Sequence, residues 1–403
     1  MPLARSLVLA LCCSIPLVAQ ERDRSRSSVD PYTRGDAQAL ARAGLVGLGP
    51  FRLGERFGTA DVEHCLGRAE VVWIETAHFK IGAELPPLAW KDCDAVARKR
   101  LTAELAALRK VMPVGSATPR SMDPWLRAHL LARRCEALYE DFARVLPAAT
   151  GPALATDAAH DRFDDIRELG HGPYLGKDEK FVVLVLRRGD DFVRIAVEFL
   201  GKEYRWPQRH DLGRAQGMVF GTALDFDPSL ADDTALHAHL AHNLVHNFCD
   251  AYRGYLYDTT MWWKVGLAHS VVRRIDPRFA NYDRSGDDRP DVRVESDWES
   301  RAIGLARHGG ARPFRESAAW FDVRQYRFHD HVLAWSRIEF LRAQGDEKLG
   351  AFLSAMKAPL PVPGPRDQTT ILERQERALF DVYNFATPDD LDDAWRAWVT
   401  RKK

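Results

Sequence analysis

The sequence predicts an α+β fold: a mixed sheet, a helix carrying paired histidines, and a mainly helical C-terminal subdomain. Three observations predict it. Residues 181–186, Phe-Val-Val-Leu-Val-Leu, form a short apolar run rich in β-branched side chains, the pattern of a buried strand. Stretches such as 124–145 and 331–341 instead repeat apolar residues at helical spacing. The 403-residue chain is also 46% hydrophobic, which supplies a substantial core.

The elements follow in order. Arg5 and the uncharged run 6–20 have the charged and short apolar regions of a secretory signal peptide, with cleavage after Ala19 or Gln20, so residues 1–20 are expected to be removed and the mature protein to be secreted or periplasmic. Residues 21–66 form a polar leader and N-terminal segment, and the Arg-Ser-rich part 21–36 is expected to be flexible. An α+β subdomain spans 67–270. Within it, 71–76 and 79–81 read as a strand pair, 93–111 and 124–145 as helices on the sheet, and 217–224 as a further strand. Alternation of Val193, Ile195, Val197 and Phe199 with polar or small neighbours predicts another strand after 181–186, joined by a turn at 187–190.

A helical subdomain follows, over 271–403. The Asp-, Arg- and Gly-rich stretch 281–299 reads as an exposed loop, and the four prolines of 359–365 as a linker. Helices are expected at 331–341, with Val332, Trp335, Ile338, Phe340 and Leu341 on one stripe, and at 347–356. In the last helix Thr387 caps, Pro388 suits the first turn, and Leu391, Trp395, Trp398 and Val399 share a core-facing side.

The chemistry-bearing motif is His242-Asn243-Leu244-Val245-His246, followed after 18 residues by Val265-Gly266-Leu267-Ala268. Histidines at i and i+4 lie on one helix face and can share a metal ion. With Trp262 or Trp263 ahead of Gly-Leu-Ala and a strand at 217–224 upstream, the pattern resembles the peptidase-MA-like (gluzincin) zinc metallopeptidases, whose helix reads His-Glu-x-x-His and whose second helix carries Glu-Gly-Leu-Ala. Residues 326–398 are similar to the C-terminal half of such chains, and Glu75-Thr76-x-His78-Phe79-x-Ile81 resembles a first strand. The resemblance implies a zincin-like fold and covers the second half of the chain better than the first.

The two motif glutamates are replaced. Asn243 stands at the general-base position, and an amide is no base near neutral pH. Val265 stands at the usual third-ligand position and carries no donor atom. Two of three protein ligands then remain, too few for a catalytic zinc site. His269, one turn after Val265, is a candidate replacement that would give a three-histidine set with His242 and His246, and His239 is a second candidate. Tyr326 and His329 are secondary candidates for steadying an oxyanion, as the resemblance implies, and Asp250 for orienting His246. Two readings stay open. One is a catalytically inactive binding or structural protein with no cofactor, its cleft taking a peptide, protein or glycan; the other is a metal-dependent hydrolase with a rebuilt site and zinc, its base drawn from Asp250 or the stretch 326–331.

Charge narrows the partners. Basic and acidic side chains number 57 each, and loss of Arg5 with the signal peptide changes that balance by one. No basic stripe marks nucleic-acid binding, and no run beyond the signal peptide approaches the ~20 apolar residues of a transmembrane anchor. Cys65, Cys93, Cys135 and Cys249 match no zinc-ribbon spacing; both disulfides and buried thiols are compatible with them.

Overall fold

A computed structural model describes residues 29–54, 57–68, 70–146, 172–212, 217–253, 259–282, 295–357 and 368–401. The expected signal peptide and the proline-rich stretch 359–365 lie outside the described residues.

The sheet is mixed, as the α+β expectation requires. It comprises β1 (Leu45–Leu48), β2 (Val72–Thr76), β3 (Phe79–Ala83), β6 (Phe181–Leu186), β8 (Met218–Ala223) and β7 (Gln208–Asp211), in the order β1-β2-β3-β6-β8-β7. A separate two-stranded piece pairs β4 (Leu88–Ala89) with β5 (Ser121–Met122). β2 and β3 form the expected antiparallel pair, whereas β3, β6 and β8 run parallel and β7 closes the edge antiparallel to β8. Parallel neighbours need a crossover. Between β3 and β6 it is supplied by helices α3 (Ala95–Leu108) and α4 (Pro124–Val145), which match the helices expected at 93–111 and 124–145.

The segment after β6 departs from expectation. Residues 193–199 are not a strand but belong to helix α5 (Gly189–Leu200). Phe192, Ile195, Ala196 and Phe199 recur at helical spacing and form the packed face, while Val197, which completed the apparent alternation, is 51% exposed. Asp190 and Asp191 lie in the first turn and Gly201 ends the helix at φ 67°, both ordinary helix signals.

Strand periodicity sorts the sheet's side chains between two layers. Phe181, Val183 and Val185 face a large core shared with α4 and with α6 (Asp233–Ala251); Leu184 and Leu186 face the other side, covered by α2 (Thr59–Leu66) and α5. α3 packs on α4 through its own cluster, away from the main core. The large core continues without a break into the C-terminal helices α7 (Met261–Ile275), α8 (Trp298–Arg307), α10 (Phe328–Arg342), α11 (Asp346–Met356), α12 (Gln368–Tyr383) and α13 (Pro388–Arg401); a one-turn helix α9 (Phe314–Ser317) precedes α10. Thr387 and Asp390 cap α13 reciprocally, at 2.8 and 3.2 Å, and Leu391, Trp395 and Val399 are buried.

Two further expectations change, and the open alternative for the cysteines is resolved. The leader is docked at its end: Asp30 is fully buried, its carboxylate accepting from Thr33 and meeting His129 at 3.0 Å on α4, before helix α1 (Ala37–Ala43) begins. The expected loop 281–299 ends inside α8, and Trp298 is fully buried. Cys65, Cys93, Cys135 and Cys249 are all free thiols. No described helix is long and apolar enough to cross a membrane.

Candidate functional site: a buried histidine cluster

Helix α6 is anchored at its N-terminus by charge. Asp232 caps it, accepting from Thr234 and Ala235 at 2.8 and 2.9 Å. The next residue, Asp233, is buried and meets Arg134 of α4 at 2.8 Å and Arg100 of α3 at 3.0 Å; Arg134 also binds Glu104 at 2.6 Å. Burial opposes the charge on Asp233, but the two guanidiniums outweigh it and hold its pKa well below the carboxylate range. The network fixes the direction in which α6 carries its histidines into the core.

Gly266 sets the facing helix. A Cβ there would lie 2.4 Å from the carbonyl oxygen of Ala334 and 2.5 Å from Ile338 Cγ1, so only glycine lets α7 approach α10 this closely. The Gly-Leu-Ala step is therefore a close-packing feature of this chain, whatever its chemistry.

Between α6, α7 and α10 the structure brings together His242, His246, His269 and His331, each no more than 2% exposed. The ring centroids of His242 and His246 are 5.0 Å apart, and those of His242 and His269 are 5.3 Å apart. His269 Nε2 lies 3.0 Å from His331 Nδ1, so one of these two nitrogens carries the shared proton. Tyr282 packs 4.9 Å from His331, and Trp298 edges onto His269 at 4.9 Å. Arg273 sits between Trp298 and Trp335, 4.7 Å from each ring, and donates to the Ser296 carbonyl and the Glu299 carboxylate at 2.9 Å, which holds Trp298 in place.

The replaced positions have specific surroundings. Asn243 Oδ1 accepts from Arg209 of β7 at 3.1 Å, and its Nδ2 donates to the carbonyl of His239 at 2.8 Å. Val265 is 1% exposed and belongs to the main core. His239 is turned to Thr222 and Asn281, at 3.3 Å each. The Asp250 carboxylate is committed to Lys264 at 2.5 Å, and its carbonyl accepts from the Lys357 amine at 2.9 Å. Burial lowers that amine's pKa to about 7.

Of the oxyanion candidates, Tyr326 reaches the cluster, its ring 5.3 Å from His331. Among the described residues its hydroxyl has no hydrogen-bond partner, and burial raises its pKa well above the ordinary value. His329 packs beside Phe328. At 3.6 residues per turn, His329 and His331 leave nearly opposite sides of α10, and it is His331 that enters the cluster. Sequence reasoning missed Tyr282, Trp298 and Arg209 and included His331 only within the stretch 326–331.

Neither replaced position supplies a carboxylate: Asn243 is an amide, and Val265 carries no donor atom. Among the described residues, no group of three His, Cys, Asp or Glu side chains is arranged to hold a metal ion. The rings of His242, His246 and His269 are neighbours; His269 Nε2 is engaged with His331, so an ion would have to be met by its Nδ1. No family model, no curated protein and no solved structure matches the chain.

Proposed function

We propose that this is a secreted or periplasmic, catalytically inactive relative of the gluzincin peptidases, a pseudopeptidase acting as a binding or structural protein. The observation that carries the proposal is the state of Asn243. Its carboxamide is held at both ends, by Arg209 and by the His239 carbonyl, at the position where hydrolysis needs a proton acceptor. The buried Val265 and the His269–His331 contact support it, because both turn the ligand region into core. The antiparallel edge strand β7 beside α6 and the close α7–α10 contact are in keeping with a zincin-like arrangement.

A second reading keeps one favourable observation. Ring centroids 5.0 and 5.3 Å apart are within the span of three imidazoles around one ion, so modest ring rotation would bring three histidine ligands together, as the rebuilt-hydrolase reading needs. The experiment restores the chemistry. Asn243→Glu with Val265→Glu is expected to gain zinc binding and measurable peptide hydrolysis over an inert parent. A folded double variant that gains neither overturns the shared-site premise, and a parent that already hydrolyses peptides overturns the inactive reading.

A further inference from the structure

On the sheet face away from the histidines, α2, α5 and the β7 edge leave a pocket of about 80 Å³. Phe57, Trp73, Phe192 and Phe199 supply its rings. Val219 of β8 lines it too, and Gln208 and His210 of β7 are its polar members. Among the described residues, no charged side chain lines it. A pocket that can satisfy so few hydrogen bonds rejects sugars and ions, because their polar groups would lose water without replacement. An apolar pocket of this kind favours small hydrocarbons or rings, whose burial removes apolar surface from water.

The lining restricts the guest further. Edge-to-face contact favours an aromatic ring where four aromatic side chains converge, and Phe57 and Phe199 already meet in this way, 4.7 Å apart at 69°. Burial lowers the His210 pKa, leaving a neutral imidazole with one donor and one acceptor nitrogen. Gln208 donates from its amide to the Pro207 carbonyl at 3.0 Å.

We propose that this pocket is a binding site for a small, uncharged, single-ring aromatic molecule carrying one polar group, with the ring among Phe57, Trp73, Phe192 and Phe199 and the polar group at His210. The site is independent of the histidine cluster. β7 separates the two, since Gln208 and His210 line the pocket while Arg209 and Asp211 reach Asn243 and Lys177 on the other side.

The test is titration of the full protein with p-cresol, followed by calorimetry and by amide NMR shifts, with toluene as the ring lacking a polar group. One saturable site per chain is expected. Val219→Phe, which places a ring in the pocket, is expected to weaken p-cresol at least tenfold, and His210→Ala to weaken p-cresol severalfold while leaving toluene unchanged. If Val219→Phe does not fold, Ala196→Leu fills the same space from α5. Absence of saturable p-cresol binding to the folded parent overturns the proposal, as does binding that the filled variant retains in full.

Discussion

On one face of the sheet, the rings of Phe79, Phe181 and Phe248 lie 5.1–6.1 Å from one another, and the core they begin runs unbroken to Val399. On the other face, α2 and α5 cover the same strands but leave an open pocket. The two regions differ in what lines them. The closed face buries four histidines and the Asp233 ion network, and buried polar groups persist only where packing keeps their partners in place. The pocket-bearing face has an almost wholly apolar lining, so unfilled volume there costs dispersion contacts but strands no charge.

The largest expected break is Asp233→Asn. Removing one member of the buried ion network leaves Arg134 with reduced compensation, at a cost of about 3–5 kcal/mol in urea denaturation. The sign with pH is set by the lowered carboxylate. Its stabilisation is fully present above the unfolded aspartate value of about 3.9 and is lost as pH falls through the lower folded value. The parent is therefore expected to lose more stability than the variant below about pH 4.

A matched pair of truncations sharpens the contrast. Phe181→Ala on the closed face is expected to cost about 3–5 kcal/mol. Phe192→Ala should cost less in the same measurement, because that ring already borders empty space. His331→Ala removes the partner of the buried His269 nitrogen and is expected to cost about 1–3 kcal/mol without changing the far-UV circular dichroism. The smallest expected effect is on the pocket side: Val219→Phe should change stability by less than about 1 kcal/mol, since the added ring enters existing volume and not a filled core.

How much was legible in the sequence depends on how local the determining contacts are. Phe181–Leu186 was readable because a strand buried on both faces must be continuously apolar, and Pro124–Val145 because its apolar residues recur at helical spacing. Gly189–Leu200 was misread because its side chains satisfy a period of two and a period of 3.6 at once; the exposed Val197 favoured the wrong one, and the Gly201 cap was the better guide. Part of the site was readable for the same local reason, since His242 and His246 share a helix face and His269 follows Val265 by one turn. The partners that define it were not. Tyr282, Trp298 and His331 lie on three other segments, and Arg209 comes from the sheet edge, so only tertiary packing brings them to the motif.

The proposed function turns on whether the histidine helix holds a metal ion. Its most direct test is the metal content of residues 21–403, purified without chelator, beside a His242→Ala, His246→Ala double variant. The account predicts no stoichiometric metal in either protein. Close to one zinc per chain in the parent, lost in the variant, would contradict it and establish a rebuilt histidine site.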